Sequence, residues 1–215
     1  MAKVLTGDFR GKQQKNRQQA SADEQVPGYR LKLAVAFSDP LIWRSIQVPG
    51  TMTLAGLHEV IQACMGWDDS DTHQFLVGKI FYQSGFGIRD TQKDSTYAEQ
   101  HFQLHQLEEG MRFLFTYLYD GGEGWELQIS LEEVIGAGLE GGVAVLVGGE
   151  RACPPVEVGD IHRYQALLVD AEAAADGRNV SLDLPLAGDF DPGRFELKAI
   201  NDLLADLKET QVKER

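Results

Sequence analysis

The stretch Tyr117-Leu-Tyr-Asp-Gly-Gly-Glu-Gly-Trp-Glu-Leu-Gln-Ile129 constrains this chain most. Two runs of alternating apolar residues meet there across a turn holding three glycines and two carboxylates. Before the turn Phe113, Phe115, Tyr117 and Tyr119 share one parity; after it Trp125, Leu127, Ile129 and Leu131 do the same. Period two is the mark of strands with one buried face, and facing side chains across such a ladder contribute ~0.2–1 kcal/mol per pair. A chain with this hairpin near its middle must build a sheet and then cover one side of it.

The flanks supply both. Leu31, Leu33, Val35 and Phe37 alternate as a first strand, and Ile42 to Val48 form a second in which Ile42, Arg44, Ile46 and Val48 oppose Trp43. Thr53 stands where an N-cap hydroxyl is needed. Leu54, Leu57, Ile61 and Cys64 then recur at helical spacing, with Gly66 suited to a left-handed end. A polar turn, Trp67 to Asp71, leads into a strand expected from His73 to about Tyr82. Gln83 to Gln100 shows no period and reads as a flap or an insertion. Leu104 and Leu107 fit a short helical turn, Glu132 to Gly142 an irregular connection, and Val143 to Val147 a strand. Gly148 to Pro155 reads as irregular. Helices are expected from Tyr164 to Ala174 and, after a turn opened by Asp189-Phe190-Asp191-Pro192, along Leu197, Ile200, Leu203, Leu204 and Leu207. The fold class is α+β: one domain over residues 29–208, a mostly antiparallel sheet backed by helices, with a disordered leader at 1–28 and a frayed end at 209–215.

Charge narrows the partners. The net charge is -13, and the first 28 residues hold five basic and three acidic side chains, which leaves -15 on the rest. So acidic a body repels phosphate backbones, because duplex binding depends on Lys and Arg displacing counterions. Nucleic acid is therefore not expected on the folded body; the basic leader is the one stretch suited to touch it. Two cysteines are too few for a disulfide scaffold or a four-cysteine zinc site. With no apolar run long enough to span a bilayer, no membrane is expected and the cytoplasm is the expected compartment.

Several side chains could carry chemistry. His58 shares the apolar stripe of its helix and reads either as a core histidine bonded to a carbonyl or as a ligand or base. His73 closely follows Asp68, Asp69 and Asp71, so imidazole and carboxylates could meet on a divalent cation; acidic turns often bind nothing. His101 and His105 are four apart in a short polar segment, which reads mostly as surface. Asp120 and Glu123 at the hairpin end suit an acid/base pair, metal ligation or a clamp for a basic partner, or else turn-making and solvation. Cys153, before two prolines and nine residues from His162, reads as a packed thiol or a held nucleophile.

Ordered blocks also carry a resemblance. Ile42-Trp43-Arg44, Thr53-Leu54 with Leu57-His58 and Ile61-Gln62, and Gly66-Trp67-Asp68-Asp69 come first. Tyr119-Asp120 with Gly122 and Trp125, Cys153-Pro154-Pro155, and Phe190-Asp191-Pro192 with Phe195 and Ile200-Asn201 follow. Together they resemble the Ri-plasmid ORF-three-like family of bacterial and archaeal proteins. The resemblance implies a single α+β domain without an established reaction. Some members carry a transposon-resolvase label, which this acidic chain does not support, since it shows neither a nucleophilic serine among arginines nor a DNA-binding module. It departs from the family pattern where Leu127 replaces a histidine, where Gly121-Gly122-Glu123 replaces Phe-Gly-Asp, and where Val156-Glu157 follows the prolines. The resemblance thus implies a His-acid site at the hairpin that is incomplete here, leaving Asp120, Glu123, Trp125, His73 and Glu157.

The expected function is a cytoplasmic binding or accessory domain whose acidic face takes a protein or a small cationic ligand, with Trp125, Glu157 and Cys153 as candidate binding residues. No cofactor is required, though a divalent metal is admitted. The alternative is a metal-assisted hydrolase with His73, Asp120 and Glu123 as ligands and catalytic groups.

Overall fold

A computed structural model describes residues 26–84, 96–120, 124–137, 139, 143–176 and 190–213. Among the described residues one eight-stranded sheet, in the order β5-β4-β3-β6-β7-β1-β2-β8, carries four α-helices. Its strands are β1 (Pro27–Val35), β2 (Trp43–Pro49), β3 (His73–Val77), β4 (Ile80–Gln83), β5 (Thr96–Ala98), β6 (Phe115–Tyr119), β7 (Trp125–Ala137) and β8 (Val145–Glu150). Every neighbouring pair is antiparallel except β4 with β5. The α+β, mostly antiparallel architecture expected from the alternation is the one observed.

Register places the buried side chains on one face. Phe75 faces Tyr117 across β3 and β6, Tyr117 faces Leu127 across β6 and β7, and Leu127 faces Val35 on β1. Each of these is at most 1% exposed. The helix α1 (Leu54–Met65) lies over this row with Leu54, Leu57 and Ile61 fully buried. Thr53 caps it through an N–H donated by Gly56, and Gly66 ends it with φ 69°, as the sequence requires. The short helix α2 (Glu108–Phe113) precedes β6. Helix α3 (Ile161–Ala175) brings Tyr164 edge-on to Trp125, and α4 (Leu197–Lys213) packs against α1 and β8.

Arg44 ties these layers together. It projects from β2 into the core at 2% exposure and uses all five N–H donors. Nε donates to the Cys64 carbonyl, Nη1 to the carbonyls of Trp43 and Glu150, and Nη2 to the Arg151 carbonyl and the Cys153 sulfur. Phe195 lies over the guanidinium with its centroid 4.9 Å away. No basic residue occupies the last turn of α1, so Arg44 supplies from outside the cation that the negative end of that helix favours. On the far side, Asn201 of α4 accepts the Leu146 N–H and donates to the Leu146 carbonyl, occupying the outer edge of β8.

Several expectations need correction. The run from His73 to Tyr82 is two strands, because Gly78 at φ 64° turns the chain and pairs Val77 with Ile80. Phe113 belongs to α2 and is 73% exposed, so the alternating face begins at Phe115. Phe37 lies past the end of β1 at φ 61° and is 70% exposed. Residues 132–137 continue β7 rather than looping; a register shift against β1 between Arg30 and Leu31 accommodates them. Gly148 and Gly149 belong to β8, where a Cβ on Gly149 would lie 2.6 Å from the Phe195 ring. Pro27 and Gly28 are already strand, and α4 runs to Lys213. The rest of the expected leader, up to residue 25, and most of the expected flap, 85–95, lie outside the described residues.

Candidate functional site

The polar cluster of this fold forms where α1 meets the covered face of the sheet. His58 sits one turn along α1 from Leu54, on the buried stripe, and is 6% exposed. His73 opens β3 with the same parity as Phe75 and Val77, so it points at the same interface. The two imidazoles stack with centroids 3.6 Å apart and planes 6° apart.

Each ring is held at its edge. His58 Nδ1 meets the Tyr117 hydroxyl at 2.9 Å, and its Nε2 meets Asp69 Oδ1 at 2.9 Å. His73 Nε2 meets both Glu99 oxygens, at 3.0 and 2.9 Å. Gln62 completes the ring of contacts: its amide N–H donates to Tyr117 at 2.8 Å and its carbonyl accepts the Asp69 backbone N–H at 3.0 Å. These bonds set which ring nitrogen faces which partner. His73 carries its proton on Nε2, facing Glu99, while His58 gives Nε2–H to Asp69 and accepts from Tyr117 O–H.

Burial holds His58 below the usual histidine range, and the neighbouring His73 ring adds to that, while Asp69 and Glu99 oppose it. Burial raises the Tyr117 phenol far above its ordinary value, so it remains a hydrogen-bonding hydroxyl. The donor atoms of His58, Asp69 and His73 all lie within 4.8 Å of one another, and no other such group of three exists among the described residues.

A cleft of about 590 Å³ opens beside this cluster, between α1 and α4. His58 and Asp69 both line it. Ala63, Trp67, Leu203 and Leu207 give it apolar lining, while Glu59, Asp68 and Asp206 join Asp69 as carboxylates; among the described residues no Lys or Arg lines it.

The sequence candidates distribute unevenly around this site. His73 is in it. Asp120 is exposed at φ 61°, donates its backbone N–H to the Thr72 carbonyl, and packs its Cβ against Gly124, so it shapes the turn and is not part of the three-donor group. Glu123 lies outside the described residues. Trp125 is 1% exposed, with its ring against Trp67 and Tyr164, and belongs to the core rather than to a binding surface. Glu157 is exposed on a short 3₁₀ turn. Cys153 accepts the Arg44 Nη2–H, and burial raises its thiol to about 11 despite the opposing guanidinium, which describes a packed thiol. Leu127, where the family pattern has a histidine, faces Tyr117 and is fully buried. His58 meets a hydroxyl and a carboxylate rather than a backbone carbonyl.

Glu99, Gln62 and Tyr117 were not legible as site residues. Gln62 and Tyr117 stood in runs that read as helix and strand, and Glu99 in a segment without period. The available signal was parity: His58 and His73 each occupy a core-facing position on elements that the Asp68-Asp69 turn brings together.

Comparison with known proteins agrees with this picture and assigns no reaction. The chain is 31% identical over 182 residues to the uncharacterized protein y4hQ of Sinorhizobium fredii, covering 83% of this chain and 91% of that one. The crystal structure of a protein of unknown function, MM3350 from Methanosarcina mazei Go1, superposes with a TM-score of 0.66 at 27% identity, covering 80% of this chain and 97% of that one. These relatives give the hydrolase alternative no support. No helix among the described residues is long and apolar enough to cross a membrane. The plasmid pRiA4b ORF-3-like protein family matches residues 27–199, and the chain belongs to that family.

Proposed function

We propose that this chain is a cytoplasmic binding domain, without a reaction of its own, whose cleft takes a small organic cation with an apolar body. The observation that supports it is the lining between α1 and α4, where apolar Ala63, Trp67, Leu203 and Leu207 meet the exposed carboxylates of Asp68 and Asp69. The volume falls in the range of small-ligand pockets, about 300–1,000 Å³. Apolar burial would supply the affinity and the carboxylates the choice of sign, since an anion of the same shape would be repelled. A lysine or arginine side chain presented by a protein partner carries the same chemistry.

The test is a titration of the full chain with hexylamine, hexanoate and a short lysine-containing peptide, followed by the methyl resonances of Leu203 and Leu207. Hexylamine is expected to shift them saturably and less at high salt, and the variant Asp68→Asn to weaken the response several-fold. Hexanoate binding as well as hexylamine would remove the reading. Response to the peptide alone would assign the cleft to a protein partner.

A further inference from the structure

Four side chains of the polar cluster present an unusual charge balance. Asp69 and Glu99 set two carboxylates against the imidazoles of His58 and His73. Among the described residues, no Lys or Arg enters the hydrogen bonds or ion pairs of these four. Glu99 is 4% exposed. A buried carboxylate such as Glu99 is costly unless a proton or a cation partner matches it.

We propose that His58, Asp69 and His73 form a binding site for one divalent transition-metal ion. The three donors already lie within 4.8 Å of one another, on three different parts of the fold: α1, the turn after it, and β3. Two imidazoles and one carboxylate suit zinc, cobalt or nickel far better than calcium or magnesium, which prefer oxygen ligands alone. The flanking groups are those that orient such ligands. Glu99 holds the Nε2 proton of His73, which leaves the Nδ1 lone pair for metal, a carboxylate–histidine–metal arrangement. Tyr117 faces His58 Nδ1 and can accept from it as well as donate to it. His58 can therefore move its proton from Nε2 to Nδ1 and turn Nε2 to the ion.

Binding also requires movement. A tetrahedral ion about 2.1 Å from each donor draws the donors to about 3.4 Å from one another, so the ring stack must open. Asp69, 61% exposed at φ 55°, is the ligand freest to close on it. Three protein ligands leave a fourth position, and His58 and Asp69 both line the cleft, so that position faces it. The site is independent of what organic ligand the cleft takes.

The experiment uses the full chain stripped with a chelator and titrated with Zn²⁺ by calorimetry and with Co²⁺ by visible absorption. One ion per chain is expected, with cobalt bands of a low-coordinate nitrogen–oxygen site. Asp69→Asn, at an exposed position that the fold does not need, should weaken binding at least about tenfold, and Glu99→Gln about 10–100-fold. His162→Gln, outside the cluster, should leave it unchanged. Absence of saturable binding, or binding that Asp69→Asn and His73→Gln both leave intact, would overturn the site. Zinc binding without hexylamine binding would keep this site and remove the cleft reading; the converse would do the opposite.

Discussion

Replacing Arg44 tests the architecture most directly. Its five N–H donors reach four backbone carbonyls and one sulfur, contributed by β2, the last turn of α1, the end of β8 and the segment before Pro154. In Arg44→Leu the hydrocarbon volume is partly kept, but every one of those acceptors loses a donor, the Cys64 carbonyl at a buried place. Hydrogen bonds to a charged group contribute ~1.5–3 kcal/mol each, and a buried polar group left without a partner costs ~1–3 kcal/mol. The guanidinium's own desolvation offsets part of this, and the bonds are not additive. Counting only two of the five at the low end and one stranded carbonyl, the loss is at least about 4 kcal/mol. That is a large share of the ~5–15 kcal/mol that holds a domain together. Arg44→Lys keeps the charge but not the planar fork, and should lose roughly half as much. Equilibrium urea unfolding of the three proteins, read by tryptophan fluorescence with the slope checked for constancy, measures both differences. A leucine variant within about 1 kcal/mol of the parent would show that desolvation cancels the bonds and would refute this account.

Two further outcomes follow from the titrating groups. His58 is held neutral below its unfolded value, so the unfolded chain binds the extra proton first; stability contributed by this group is full above about pH 6.5 and falls as the solution is acidified below it. Melting temperatures measured from about pH 7.5 to about pH 5 should therefore fall more steeply for the parent than for His58→Gln, and parallel curves would contradict it. Burial lifts the Cys64 thiol to about 12 and the Cys153 thiol to about 11, with Arg44 partly opposing both. Native protein should then react slowly with iodoacetamide at mildly alkaline pH and give two labels only in urea; rapid native labelling of Cys153 would count against the packed thiol.

Much of the fold was legible because it rests on periodicity. The faces of β6 and β7 and the capped helix α1 follow from alternation, from Thr53 and from Gly66, each a local signal. The parts misread are those where a long-range contact overrides a local one. Gly149 looks like a break until Phe195, far along the chain, is seen to occupy the space its side chain would need. Glu132 and Glu133 look like loop until β1 is paired beside them, where Arg30 meets Glu133 and Ser45 meets Glu132. The site was half legible for the same reason. His58 and His73 each stood on a readable element, but their stacking depends on how α1 lies across β3, which no spacing along the chain encodes. Arg44 was placed correctly on the face opposite Trp43, yet its role as a five-donor clamp required the positions of β8 and α1. The blocks that carry the family resemblance meet one another here: Arg44 reaches Cys153, Gln62 reaches Asp69, and Trp67 donates to the Pro154 carbonyl.

Asn201 gives the C-terminal helix a second occupation. By accepting the N–H and donating to the C=O of Leu146, its amide imitates one peptide unit of a ninth strand. An extended segment arriving at β8, whether from another copy or from a foreign peptide, would have to evict that amide and the helix carrying it. Growth of the sheet in this direction is thus coupled to undocking of α4, and association through that strand would report a partly opened molecule rather than the assembled state of the closed one.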